Sequence, residues 1–323
     1  MRASSSCDEK KRPRLGLALG SGAARGWAHV GALRAFDELN IDIDVYAGCS
    51  VGALVSAAKL LDIWEEFQGW ARELSPIEAM KSFGLNLNRG GLIDPKKAFD
   101  IFHHADQNVE DLSVPWGAVA TDLGTGEEVW LTQGSVLQAC RASSAVPMIM
   151  QAVRYRETGQ EHWLIDGAAA NPVPVNLARA LGAERIIAID LNDHIHGPLK
   201  RFNRPTTRAV VPVAEEPAEE GPFQAIETFI KTQSQDITRR LALAKAQALS
   251  RPQFLETAIA TTDIIQAQLA RARAQVDIAD LRITPNLSMG SAASFDLYEI
   301  FEQEGYRATM AAKEDILSIA ERE

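Results

Sequence analysis

Two short apolar runs near the start of the chain, "RLGLALG" and "IDVYAGC", each end in a tight glycine-containing turn, and each turn opens into a stretch of helical spacing. Repeated strand, turn and helix is the sequence form of a β/α architecture, because a parallel strand is reached only through a crossover connection. "GWAHVGALRAFDELN" predicts the first helix, and "VGALVSAAKLLDIWEEFQGWARE" predicts a long second one. "WGAVATDL" and "EVWLTQ" read as a hairpin across "GTGE", with further strands at "HWLIDGA" and "RIIAIDL". "GSVLQACRASSAVP" has helical spacing until Pro147. The fold class is therefore α/β, with a mainly parallel central sheet flanked by helices.

A chain of 323 residues with 46% hydrophobic content can bury one large core. We expect a flexible polar tail over residues 1–13 and a single domain over 14–315. Residues 197–222 are rich in proline and carry Glu215, Glu216, Glu219 and Glu220, so they read as a mobile loop. A helical C-terminal part follows from 223, in blocks over 223–250 and 252–275, then a strand at "DLRITPNL" and a closing helix from about Phe295.

The formal charge of -10 argues against the broad basic surface that nucleic acid phosphates require, so no nucleic acid partner is expected. Cys7, Cys49 and Cys140 cannot all pair and have no C-x-x-C spacing, which fits a reducing compartment and speaks against structural zinc. The apolar run "LGLALG" is too short for a signal sequence, and no stretch approaches the ~20 apolar residues of a membrane-spanning helix. The expected location is cytoplasmic.

"GCSVG", at 48–52, lies between a strand and a helix, where Gly-x-Ser-x-Gly forms a nucleophile elbow. The third position is the one such a turn exposes, which selects Ser50 as the candidate nucleophile, while Gly48 and Gly52 let strand and helix pass closely. Cys49 belongs to the strand end and reads as a small buried hydrophobe, although a thiol is the better intrinsic nucleophile. The plain alternative is a tight strand-to-helix turn with no chemistry.

"LGSGAARG" follows the first strand and opens a helix, so its amides are aimed together at a helix N-terminus, a site built to hold an anion. Gly20, Ser21, Gly22 and Gly26 also resemble a dinucleotide fingerprint with one residue added. That reading wants a carboxylate at the end of the second strand, and Asp42 and Asp44 precede that strand's apolar part instead. With the elbow at the strand end, the pair of motifs favours an oxyanion hole serving Ser50. Arg25 either steadies this loop, meets a phosphate, or is a solvated arginine at a helix start.

No histidine sits where a triad needs one. His103 and His104 fall in a helical stretch, His162 leads into a strand, His29 lies on the first helix, and His194 and His196 enter the predicted loop. A metal site from those last two with Asp190 and Asp193 lacks a scaffold, and a solvated loop is the better reading. Asp166 follows the apolar run "HWLI", with Gly167 behind it, at the strand edge where ligands of open α/β sheets gather. A poorly solvated carboxylate can deprotonate a serine. An aspartate capping the next turn is the plain alternative.

Taken in order, "GSGAARG", "GCSVG" and "DGA" resemble the three signature blocks of the patatin-like phospholipases, over roughly residues 14–195, and most resemble the bacterial RssA-type branch related to neuropathy target esterase. The resemblance implies a three-layer patatin-like fold and a serine esterase or lipid acyl hydrolase of phospholipase or lysophospholipase type. It implies a Ser50–Asp166 dyad with no catalytic histidine, an oxyanion hole on the loop holding Gly20, Ser21, Gly22, Ala23, Arg25 and Gly26, and no metal or other cofactor. One departure stands out: Ser21 and Ala23 occupy the first and third places of the family's glycine run, and alanine tolerates positive φ poorly. The implied substrate is a lipid acyl ester, with any membrane contact peripheral, and "AVPMIMQAV" and the late helices are candidate acyl-chain walls. Arg271 and Arg273, on "IIQAQLARARAQV", are candidates for such contact. The rival readings are a catalytically idle protein on the same fold that binds a lipid or a partner, and a nucleotide-binding protein.

Overall fold

The computed structural model describes residues 12–74, 96–147, 150–157, 160–194 and 254–321. The predicted mobile loop, the helical block at 223–250, His196 and most of the N-terminal tail lie outside the described residues. The chain divides into two compact units, one of Met1–Pro198 with Asp263–Glu323 and one of Leu199–Thr262. Of the second unit the described residues are 254–262, the first turns of a helix.

Strands β1 (Leu15–Leu19), β2 (Val45–Cys49), β3 (Trp116–Asp122), β4 (Glu128–Leu131), β5 (Val153–Glu157), β6 (Gln160–Asp166), β7 (Arg185–Ile189) and β8 (Leu281–Ile283) form one sheet. Its order is β5-β6-β3-β2-β1-β7-β8, with β4 also on β3. The β8-β7-β1-β2-β3 portion is parallel throughout. β1, β2 and β3 are buried at every position, as strands covered on both faces must be.

Helices cover both faces, giving the three expected layers. Leu15, Leu17 and Leu19 point into a large core shared with α1 (Trp27–Glu38), α2 (Val51–Leu60), α3 (Trp64–Glu73), α4 (Lys96–His103), α5 (Val136–Ser143) and the later α8 (Tyr298–Ala311). The alternate residues Ala18, Val45, Ala47 and Val119 face a smaller cluster under α6 (Val175–Ala180) and the end of α7 (Phe254–Arg273). A last helix, α9 (Lys313–Ala320), adds Ile316 to the larger core.

The structure departs from the sequence reading at two points. The single long helix after the elbow is two, α2 and α3, because Asp62 adopts φ 59, a left-handed conformation that a short polar side chain tolerates and a helix does not. Strand β5 was not expected from "VRYRE", whose charges sit at an exposed sheet edge. In "AVPMIMQAV", the described residues Ala145 and Met150 are buried in the core.

The position of β3 decides the rest. Its first half pairs in parallel with β2, Cys49 standing opposite Val119, and its second half pairs antiparallel with β6, Asp166 standing opposite Ala120. Because β4 occupies the other edge of β3 over Ala118–Thr121, β2 and β6 share one edge. The C-terminal ends of those two strands therefore meet head to head.

Candidate active site

Ser50 is the residue between β2 and α2, at φ 54 and ψ -121. A non-glycine residue in that region carries roughly 1–3 kcal/mol of strain and survives only where its surroundings enforce it. The enforcement is steric. A Cβ on Gly52 would lie 2.1 Å from the Leu19 carbonyl oxygen, and one on Gly48 2.4 Å from Ala53 Cα, so the helix and both strands approach to distances only glycine allows. Cys49 ends β2 with no solvent exposure, and burial first, then the nearby Asp166 carboxylate, pushes its thiol well above the ordinary range. It cannot supply a thiolate at neutral pH.

The head-to-head strand ends bring Ser50 and Asp166 together. The Ser50 hydroxyl donates to Asp166 Oδ2 at 2.6 Å, while Asp166 Oδ1 accepts the Ala168 amide at 2.8 Å. Both sequence readings of Asp166 are thus present in one side chain: one oxygen caps the next turn, the other meets the serine. Gly167 permits the junction, since a Cβ there would sit 2.2 Å from the Val119 carbonyl oxygen. Thr121 Oγ1 donates to the Asp166 carbonyl oxygen at 3.0 Å and fixes the strand end. Burial raises the Asp166 carboxyl to about 6, against the lowering effect of its hydrogen bonds from Ser50 and Ala168. A carboxylate of that affinity is poised to accept a proton near neutral pH.

The glycine loop abuts the elbow. A Cβ on Gly26 would overlap the Val51 side chain, at 2.1 Å from Cγ2. Within the loop, the amides of Gly20 and Ser21 donate to Ile189 O and Pro172 O at 3.0 and 2.8 Å, Ala24 to Ala292 O at 3.0 Å, and Arg25 to Gly22 O at 3.1 Å. Among the described residues, the amides of Gly22 and Ala23 have no such acceptor. Ala23 adopts φ 49, so alanine does enter the left-handed conformation that the sequence made doubtful.

Side chains from distant parts of the chain hold this loop, and sequence reasoning missed most of them. His29 Nε2 lies 2.7 Å from the Gly20 carbonyl oxygen, which requires the proton on that nitrogen, and burial lowers the imidazole to about 4. Asn192 Nδ2 donates to the Ser21 carbonyl at 3.2 Å and is itself held by Asp190 Oδ1. Ser21 Oγ donates to Gln266 on α7 at 3.3 Å. Arg25 is not solvated: it is buried and makes a two-pronged pair with the Asp263 carboxylate, at 3.2 and 2.8 Å, and so steadies the loop, the first of the sequence's three readings.

Other candidate residues lie elsewhere. Asp190 and Asn192 are fully buried and Asp190 pairs with Arg282, so this segment is a brace and not a solvated loop. His194 Nε2 contacts Thr284 O at 3.1 Å, and His162 Nδ1 contacts Asp122 at 2.5 Å, away from Ser50. His104 faces Glu66 on the surface. Asp44 binds Arg12 and the Leu15 amide, at the N-terminal end of β1, so it is at the wrong end of the sheet for a ribose. Arg271 is tied to Asp193, and Arg273 to Glu128 and Asp277. Among the described residues no group of three His, Cys, Asp or Glu could hold a metal ion, and no described helix is long and apolar enough to cross a membrane.

Comparison with known proteins adds to this geometry. The family model described as patatin-like phospholipase matches residues 17–179, which include both Ser50 and Asp166. An uncharacterized NTE family protein of Mycobacterium tuberculosis is 34% identical over 190 residues, 58% of this chain and 52% of the relative. Neuropathy target esterase sws of Drosophila melanogaster is 31% identical over 193 residues, 55% of this chain and 13% of that protein. The rat patatin-like phospholipase domain-containing protein 7 is 32% identical over 204 residues, 58% of this chain and 14% of that protein. A crystal structure of VipD from Legionella pneumophila aligns with a TM-score of 0.44 at 12% identity, over 94% of this chain and 67% of that one. The chain spans about half the length of the mycobacterial relatives it matches, and less of the animal ones.

Proposed function

Since the chain belongs to the patatin-like phospholipase family, a family of lipid hydrolases, we propose that it is a serine esterase that cleaves lipid acyl esters through a Ser50–Asp166 dyad. One observation carries the reading: a hydroxyl and a poorly solvated carboxylate, on the ends of two strands that meet head to head, lie 2.6 Å apart.

Ser50 Oγ attacks the ester carbonyl carbon as its proton passes to Asp166 Oδ2. The carbonyl electron pair moves onto oxygen, and the amides of Gly22 and Ala23, with the N-terminal end of α2 behind Ser50, stabilise that charge. Collapse of the tetrahedral species breaks the bond to the leaving alcohol, which takes the proton from Asp166. Water then repeats the sequence on the acyl-serine and releases a fatty acid. Every proton is accounted for by Asp166, so the reaction needs no histidine. A phospholipid or lysophospholipid is the substrate class, met at a lipid surface by peripheral contact from the cytoplasm.

The test is hydrolysis of p-nitrophenyl esters together with labelling by a fluorophosphonate, in which an Oγ–P bond forms and fluoride leaves. Activity and label are expected in the wild type and in Cys49→Ala, and to be lost in Ser50→Ala and Asp166→Asn. A folded wild type that neither turns over nor labels overturns the reading and leaves lipid or partner binding in its place.

A further inference from the structure

The end of α5 and the residues just after it touch both halves of the candidate dyad. Ser143, the last residue of α5 and fully buried, accepts the backbone N–H of Ser50 on its hydroxyl oxygen at 2.8 Å. Two residues on, the Ala145 carbonyl accepts the backbone N–H of Asp166 at 3.0 Å. One short stretch of chain thus grips the main chain of Ser50 and of Asp166 at once, from outside both of their strands.

The grip on Ser50 has a specific consequence. Helix-start amides have no partner within the helix, and an unpaired buried amide is costly. Ser50 is also the strained residue of the elbow, so without an acceptor at this place its peptide gains by rotating toward another partner. Rotation of that peptide swings the hydroxyl away from Asp166 Oδ2. With its own N–H committed to Ser143, Ser50 contributes no backbone donor to an oxyanion, and stabilising the developing charge falls to the glycine loop and the N-terminal end of α2.

Resting on the reading of Ser50 as nucleophile, we propose that Ser143 is a positioning residue of the esterase reaction: its hydroxyl oxygen fixes the Ser50 peptide and so aims the nucleophile at its base and at the ester carbon. It acts through Ser50 and touches no substrate. Ala145 does the same for Asp166 with a backbone carbonyl, which no side-chain substitution removes, so Ser143 is the point at which the device is open to test.

The experiment measures fluorophosphonate labelling of the full chain as a function of probe concentration, separating the reversible affinity from the maximal labelling rate, in wild type, Ser143→Ala and Ser143→Thr. Misplacing reacting groups by about 1 Å costs on the order of 10²-fold in rate. The expectation is a maximal rate lowered roughly 10²-fold in Ser143→Ala with affinity nearly unchanged, and substantial recovery in Ser143→Thr, which keeps the oxygen. A loss of stability alone would lower the fraction of active protein without changing the rate of the folded fraction. Should alanine not fold, Ser143→Cys replaces a strong acceptor by a weak one at similar volume, and slowed labelling has the same meaning. Wild-type rates in folded Ser143→Ala or Ser143→Cys, or equal impairment of alanine and threonine variants, overturn the assignment. Wild type that does not label at all is a different failure, that of the esterase reading itself.

Discussion

Arg25 in the glycine loop and Asp263 on α7, 238 positions apart in sequence, form a buried ion pair with side chains only 3% and 5% exposed. Removing one partner of such a pair leaves an uncompensated buried charge, which costs about 3–5 kcal/mol, whereas replacing both with apolar residues is often neutral. Asp263→Ala is therefore expected to lower the denaturation midpoint strongly and Arg25→Met/Asp263→Leu to recover most of the loss. Urea unfolding followed by tryptophan fluorescence measures both, and an Asp263→Ala variant within about 1 kcal/mol of wild type would show that the pair is dispensable.

In the proposed mechanism, proton acceptance by Asp166 sets an acid limit on activity. That reaction needs the carboxylate, and burial, outweighing its hydrogen bonds, pushes the carboxyl up to about 6. Below that pH, kcat/KM for a p-nitrophenyl ester should fall roughly tenfold per unit, the behaviour of a single required base. His29, lowered to about 4 by burial, stays neutral through this range and adds no second limb there. An activity profile flat from pH 7 to pH 5 would contradict the assigned base.

The same carboxyl makes a stability prediction with the opposite sign from a usual salt-bridged aspartate. Its folded affinity for the proton, about 6, exceeds the ordinary aspartate value of 3.8, so the folded state binds the proton more tightly than the unfolded one. The contribution is thus intact below about pH 4 and lost as pH rises through 6, a difference on the order of 3 kcal/mol at 1.36 kcal/mol per unit. Asp166→Asn keeps an acceptor for the Ala168 amide and presents its NH2 to Ser50, removing the buried charge without opening a cavity. The variant should be inactive and more stable than wild type at pH 7.5, with the gain disappearing near pH 4. Equal melting temperatures at pH 7.5 would mean that Asp166 is better solvated than its burial indicates.

How much of this was legible in the sequence follows from the range of the interactions. Ser50 and Asp166 each announce themselves locally, as a serine between two glycines at a strand end and an aspartate before a glycine at another. Their meeting does not, because it depends on β3 sharing one edge between β2 and β6, a property of pairing across the sheet. Ser143, Asn192 and Asp263 act on residues 93, 171 and 238 positions away, and nothing in their own neighbourhoods marks them. The break at Asp62 was hidden because apolar spacing continues on both sides of it. For Arg25 three readings stand open in the sequence, because a charge near a helix start says nothing of its partner; the pair with Asp263 selects the one in which it steadies the loop.

Ala23 offers the last prediction, since the sequence resemblance sets it at the third glycine of the family's run, and it adopts φ 49. A left-handed conformation costs an L-residue about 1–2 kcal/mol, which glycine avoids, while glycine loses roughly 0.5–1 kcal/mol more than alanine in conformational entropy on folding. The strain term is the larger, so Ala23→Gly should raise stability by up to about 1 kcal/mol and leave the free amide at that position in place. Esterase activity is expected within a few fold of wild type, because the hydrogen-bond donor belongs to the backbone. Ala23→Val should do the reverse, since a β-branched side chain is a poor occupant of positive φ. It should lower the melting temperature and cut the maximal labelling rate of Ser50 while Cys49 stays unreactive. If glycine destabilises the protein at this position, the left-handed turn is not under strain, and the departure from the family's glycine pattern has been accommodated by a loop of different shape.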